Sequence, residues 1–138
     1  MLKPKSIAVM VALGVMLQAC ATGAARESKS IEQMLADKGY RMGDEIQTIR
    51  QFSFNGWTEL DELHLILHSR VSDRYLVTLA NLCDGLRSSA RIALSNTAGQ
   101  FSKFDYVTVS GGPPGVNRRC NVKALHELER IESDTQKD

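Results

Sequence analysis

His64 and His68 stand four residues apart with Asp61 and Glu62 just ahead of them, a set whose types and spacing suggest chemistry. On a helix, an i, i+4 pair faces one way and can share a zinc ion, with Asp61 or Glu62 as an oxygen ligand. That arrangement would suit a small metal-dependent hydrolase. On a strand the pair also shares a face, but four steps of about 3.3 Å hold the imidazoles ~13 Å apart, too far for one ion. The run Leu63-His64-Leu65-Ile66-Leu67-His68 alternates, which favours a strand with Leu63, Leu65 and Leu67 inward and both rings in solvent. No metal or other cofactor is therefore expected.

A second pairing sets Cys120 beside His126 as thiol nucleophile and base. Only Arg118 and Arg119 stand near enough in sequence to depress that thiol, and oxidation of Cys120 would abolish it. No Gly-x-Ser-x-Gly elbow occurs, and the prolines of Gly111-Gly112-Pro113-Pro114-Gly115 remove donors that a phosphate loop needs. Asp105, between a turn and an apolar strand, is read as a carboxylate closing that turn. The alternatives for it are an ion pair with Arg91 or Arg119, or a role in orienting a ligand. Arg70, Arg74, Arg87 and Arg91 form a local basic run, a patch for a carboxylate or sugar phosphate if the charges converge and plain solvated charge if they do not. Trp57, Tyr75, Asp105, Arg91 and Arg119 are the candidate ligand contacts, and no residue is assigned as catalytic.

The elements that would position these groups are short. Ser30 and Gln33 have capping-box spacing, Ile31, Met34 and Leu35 line one helical face, and Lys38-Gly39 stops the helix. A strand from Ile49 to Phe54 runs into Asn55-Gly56, a hairpin signal. Leu63 to His68 and Arg74 to Ala80 read as strands with Val71-Ser72-Asp73 as the turn between them. A loop or single helical turn fills Asn81 to Ser89. Arg91 to Ser95, Phe104 to Val109 and Arg119 to His126 supply further strands, with a frayed or helical tail after the last. The fold class expected is mainly β, with α+β as the alternative. It would be a small antiparallel sheet or partial barrel of five to six short strands with one N-terminal helix.

The N-terminus carries an address. Lys3 and Lys5 precede an apolar run of eleven residues, Ile7 to Leu17. About 20 are needed to span a bilayer, so the run suits the core of a signal peptide. It ends at Leu17-Gln18-Ala19-Cys20, which resembles the lipobox where bacterial lipoprotein processing acylates the thiol and cleaves before it. Ala21, in place of Asp, resembles the sorting pattern for the outer membrane. The chain then divides into a signal peptide (1–19), an acylated Cys20 with its tether (20–29), one globular domain (30–128) and a C-terminal tail (129–138). The tether could span at most ~30 Å when extended.

Without the leader the chain holds 15 basic and 16 acidic residues, a near-neutral balance that gives no electrostatic reason to invoke nucleic acid or an anionic membrane surface. With Cys20 acylated, Cys83 and Cys120 remain, either as two free thiols or as a disulfide formed in an oxidising compartment. The expected partners are a membrane, through the lipid, and an envelope protein; oligomeric state is not legible. The reading is a non-enzymatic envelope accessory, with an unanchored periplasmic ligand binder or the hydrolase above as alternatives.

The ordered series Trp57, Leu60-Asp61, Leu65-Ile66-Leu67, Tyr75-Leu76-Val77, Leu79, Cys83, Leu86, Ile92, Asp105, Val107, Val109, Cys120, Val122 and Leu125 resembles a family of small proteobacterial proteins. These are secreted or lipid-anchored and catalogued only as a domain of unknown function. The resemblance covers roughly Gly43 to Leu128. It implies a common fold unit and a Cys83–Cys120 disulfide, and it carries no activity.

Overall fold

The computed structural model describes residues 28–88, 91–96, 98–110 and 115–132. The leader, Cys20, most of the tether and the end of the tail lie outside the described residues, as do Gly111 to Pro114.

Ser30 opens α1 (Ile31–Asp37) with the expected capping box. Its hydroxyl accepts from the Gln33 N–H, and the Gln33 side chain accepts from the Ser30 N–H. Gly39, at φ +86°, turns the chain out of the helix into β1 (Tyr40–Ile46). Eight more strands follow: β2 (Thr48–Ile49), β3 (Phe54–Glu59), β4 (His64–Ser69), β5 (Asp73–Leu79), β6 (Arg91–Leu94), β7 (Phe101–Ser102), β8 (Tyr106–Ser110) and β9 (Asn117–Arg130).

Six strands form one antiparallel path, β3-β4-β5-β9-β8-β6, curled into a half-barrel. The long β9 is its spine. Along one edge it pairs with β5, from Leu79↔Val122 to Tyr75↔Glu127. Along the other it pairs first with β8, from Ser110↔Asn117 to Tyr106↔Asn121, and then with β1, from Ile46↔Leu125 to Tyr40↔Arg130. The short pair β2-β7 stands off the path and delivers Ile49 and Phe101 into the interior.

Each face of the sheet has its own apolar cluster. The concave face holds the larger one, with Leu65, Leu67, Val77, Leu79, Val107, Val109, Val122 and Leu125 from the strands and Phe52, Phe101 and Leu86 filling the hollow. Cys83 and Cys120 are bonded within it, with a Cα–Cα distance of 5.8 Å. On the convex face α1 lays Leu35 over Ile66 and Leu76, flanked by Ile31, Tyr40, Met42 and Leu128. This double cover explains why Leu65, Ile66 and Leu67 are all buried in succession.

Three expectations are corrected. Asn55-Gly56 lies within β3, where the register slips between Phe54 and Gly56; the glycine, at φ +141°, serves a bulge rather than a hairpin. The turn joining β3 to β4 is residues 60–63 instead, where Asp61 Oδ1 accepts from the N–H groups of Leu63 and His64, both at 2.7 Å. The tail does not turn helical at His126, because β9 continues to Arg130 while paired with β1.

Candidate functional site

The strand register separates the candidate contacts into three places. Trp57 pairs with Leu67 and Leu67 with Tyr75, so both aromatics flank a core leucine on the concave face, and the row continues to Glu127. Glu59, two residues from Trp57 and opposite Leu65, shares that face, and its Oε2 is buried with no hydrogen-bond partner among the described residues. Burial first, then the Asp73 and Glu127 carboxylates, raise the Tyr75 phenol above its ordinary value of 10.0, and Arg70 opposes them. Tyr75 is thus a neutral hydroxyl at physiological pH. Two half-buried aromatic rings and a carboxylate with an unsatisfied oxygen form a rim that suits an apolar body carrying a hydrogen-bond donor.

Arg91 and Arg119 lie elsewhere, on the convex side of the β6-β8-β9 part of the sheet. Ala93, Thr108 and Arg119 form one cross-strand row; Arg91, Ser110 and Asn117 form the next. The Arg119 guanidinium rests 4.0 Å from the centre of the Tyr106 ring. Such stacking holds the planar cation in place while leaving its edge donors outward.

Asp105 is the third place, and it closes its turn as expected. One carboxylate oxygen accepts from Ser95 Oγ at 3.0 Å; the other accepts from Ser102 N at 2.7 Å and Ser102 Oγ at 2.9 Å. Its backbone carbonyl also receives the Val122 N–H, tying the turn to β9. Both carboxylate oxygens are thus engaged by the turn, and neither Arg91 nor Arg119 bonds to it.

The histidines divide as well. His64 and His68 share the convex face of β4, but they are half-buried rather than in solvent. His64 Nδ1 lies 2.9 Å and 3.0 Å from the two oxygens of Asp61, within the β3-β4 turn. His68 Nε2 pairs with Thr58 Oγ1 at 3.0 Å. Burial, and then the Arg74 charge that faces it across the strands, lower the His68 pKa below 6.5. Among the described residues no three His, Cys, Asp or Glu converge on a metal-sized site. Cys120 is spent in the disulfide, and His126 is six residues along β9 on the opposite face, ~20 Å away. Those two residues do not form a nucleophile and base.

The sequence pattern does not single out Glu59 or Tyr106 as contacts. Tyr106 carried a signal, since it alternates with Val107 and Val109 and must face outward when they face the core. The family of unknown function DUF6491 matches the chain over residues 3–138, and the chain belongs to that family. No curated protein and no solved structure matches the chain significantly.

Proposed function

We propose that this member of DUF6491 is a lipoprotein of the bacterial cell envelope. It is held on the periplasmic face of the outer membrane by an acylated Cys20, and its half-barrel is a binding module for envelope assembly or upkeep. The observation that carries the reading is the fate of the three cysteines. Cys83 and Cys120 are joined, and the third stands where the apolar run ends, in Leu17-Gln18-Ala19-Cys20. A disulfide buried in the core is a feature of proteins made in oxidising compartments, and it agrees with a leader that exports the chain. The rim of Trp57, Tyr75 and Glu59 supports a binding role, because its groups can satisfy a guest and none of them is arranged as an acid, base or nucleophile pair.

Growth of expressing cells with a fatty-acid analogue tests the anchor. The mature protein becomes labelled and partitions with membranes, and Cys20→Ser abolishes the label. An unlabelled, soluble mature protein sinks the anchor and leaves a periplasmic ligand binder in its place.

A further inference from the structure

The chain is close to neutral as a whole, yet its charges are sorted. Between residues 85 and 123 there are six basic side chains, Arg87, Arg91, Lys103, Arg118, Arg119 and Lys123, and one acid, Asp105. That stretch builds β6, β7, β8 and the first half of β9. The rest of the domain carries the excess of acids. The lone Asp105 does not neutralise its neighbours, because its oxygens are occupied by Ser95 and Ser102. Arg118 is answered by Asp84 at 2.7 Å. Arg91, Arg119 and Lys123 are exposed, and none has a hydrogen bond or ion pair among the described residues.

We propose that this convex face of β6, β8 and β9 docks on the anionic phosphate headgroups of a bilayer, through Arg91, Arg119 and Lys123. The register places Arg91 and Arg119 on one outward surface with Thr108 between their strands. Tyr106 holds the Arg119 guanidinium over its ring. A fixed planar fork suits phosphate oxygens better than a freely rotating cation does. α1 covers the convex face at Ile66 and Leu76, in the β4-β5 part of the sheet, and its packing does not include β6 or β8. The acid-rich remainder of the domain is repelled by the same surface, so a near-neutral protein acquires one preferred orientation.

The inference rests on the lipid-anchor reading for the nearness of a bilayer. From Cys20 to Ser28 the chain reaches at most ~28 Å, which holds the domain beside the bilayer.

Sedimentation with vesicles tests the proposal on the full-length chain carrying Cys20→Ser, so that no acyl chain contributes. The readout is the ratio of binding to phosphatidylcholine vesicles containing phosphatidylglycerol over binding to pure phosphatidylcholine, which cancels the pull of the apolar leader. The parent protein prefers the anionic vesicles, and salt suppresses the preference. R91Q/R119Q/K123Q lowers the ratio roughly a hundredfold, at about fivefold per cation. The matched triple K38Q/R50Q/R130Q, taken from exposed positions in the acid-rich part, leaves it within a few-fold. R91K/R119K keeps the charge but not the ring-held fork, so it retains a preference a few-fold below the parent and well above R91Q/R119Q/K123Q. Equal losses in the two triples, a loss in R91K/R119K as large as in R91Q/R119Q/K123Q, or no preference in the parent overturns the docking face. Binding to heparin without binding to vesicles also overturns it, by assigning the cations to a soluble polyanion. None of these proteins can be acylated, so their behaviour is independent of the labelling result and the two readings fail separately.

Discussion

Reducing the Cys83–Cys120 bond should remove a large share of the stability of this domain. The bond closes a loop with a sequence separation of 37. In the chain-entropy description, opening a loop of that size returns about 13 cal/mol/K to the unfolded chain, or about 4 kcal/mol at 25 °C. A domain of about 105 residues has an unfolding entropy near 0.2 kcal/mol/K, so the melting temperature should fall by roughly 15–20 °C. The location adds to the effect. Cys83 is fully buried and Cys120 nearly so, inside the cluster that holds Leu86, Val107 and Val122 together, so the double variant also leaves unfilled volume in the core. Urea unfolding of the oxidised protein, the reduced protein and C83A/C120A separates the two contributions. Reduction alone should lower the unfolding free energy by about 4 kcal/mol with a larger m-value, because the unfolded chain expands once it is unlinked. The double variant should lose about 1–2 kcal/mol more. A loss under about 1 kcal/mol on reduction, with no change in m, would refute the loop-closure reasoning.

Three further outcomes follow from local geometry. A Cβ added to Gly43 would sit 2.9 Å from the Glu127 carbonyl oxygen, within the bulged pairing of β1 and β9, so Gly43→Ala should cost about 1–3 kcal/mol in thermal or urea unfolding. Asp105→Ala leaves Ser102 N without its acceptor and frees both serine hydroxyls, costing about 2–3 kcal/mol, with amide exchange speeding up first at Ser102 and Tyr106. His68 has a folded pKa below 6.5, so the unfolded chain takes up its proton first as the solution is acidified. Its contribution is therefore complete above about pH 6.5, declines as pH falls toward the lowered folded value and then levels off. His68→Gln should flatten this part of the stability curve, and an unchanged slope between pH 5 and 7 would show that other groups carry it.

Much of the scaffold was legible because local chemistry and tertiary demand agreed. The Ser30–Gln33 box, the β5 segment rich in β-formers and the Asp105 turn all occur where their residue types point. The failures have identifiable causes. Asn55-Gly56 has the composition of a turn, but the same positive-φ tolerance serves a bulge in mid-strand, and only the partner strand decides between them. Val122, Leu125 and Leu128 recur every three residues and imitate a helix. In β9 the register shifts opposite Thr78 and Leu79, which sends Val122 and Leu125 both into the concave core, while Leu128 lies beneath α1 on the other face. An irregular strand covered on both sides thus loses its two-residue signature. The alternation sets His64 and His68 on one face of one strand, yet it does not encode their partners, Asp61 in the turn and Thr58 on the neighbouring strand. Trp57 and Tyr75 lie on either side of Leu67, while Arg91 and Arg119 lie in neighbouring rows on either side of β8, and both groupings come from strand order rather than spacing along the chain.

The intact mass of the mature protein extracted from cell membranes bears most directly on the envelope reading. An anchored, exported domain gives a chain beginning at Cys20, heavier than its peptide by a lipid modification and lacking two hydrogens for the Cys83–Cys120 bond. A chain that keeps residues 1–19, with all three thiols free to alkylate, contradicts it.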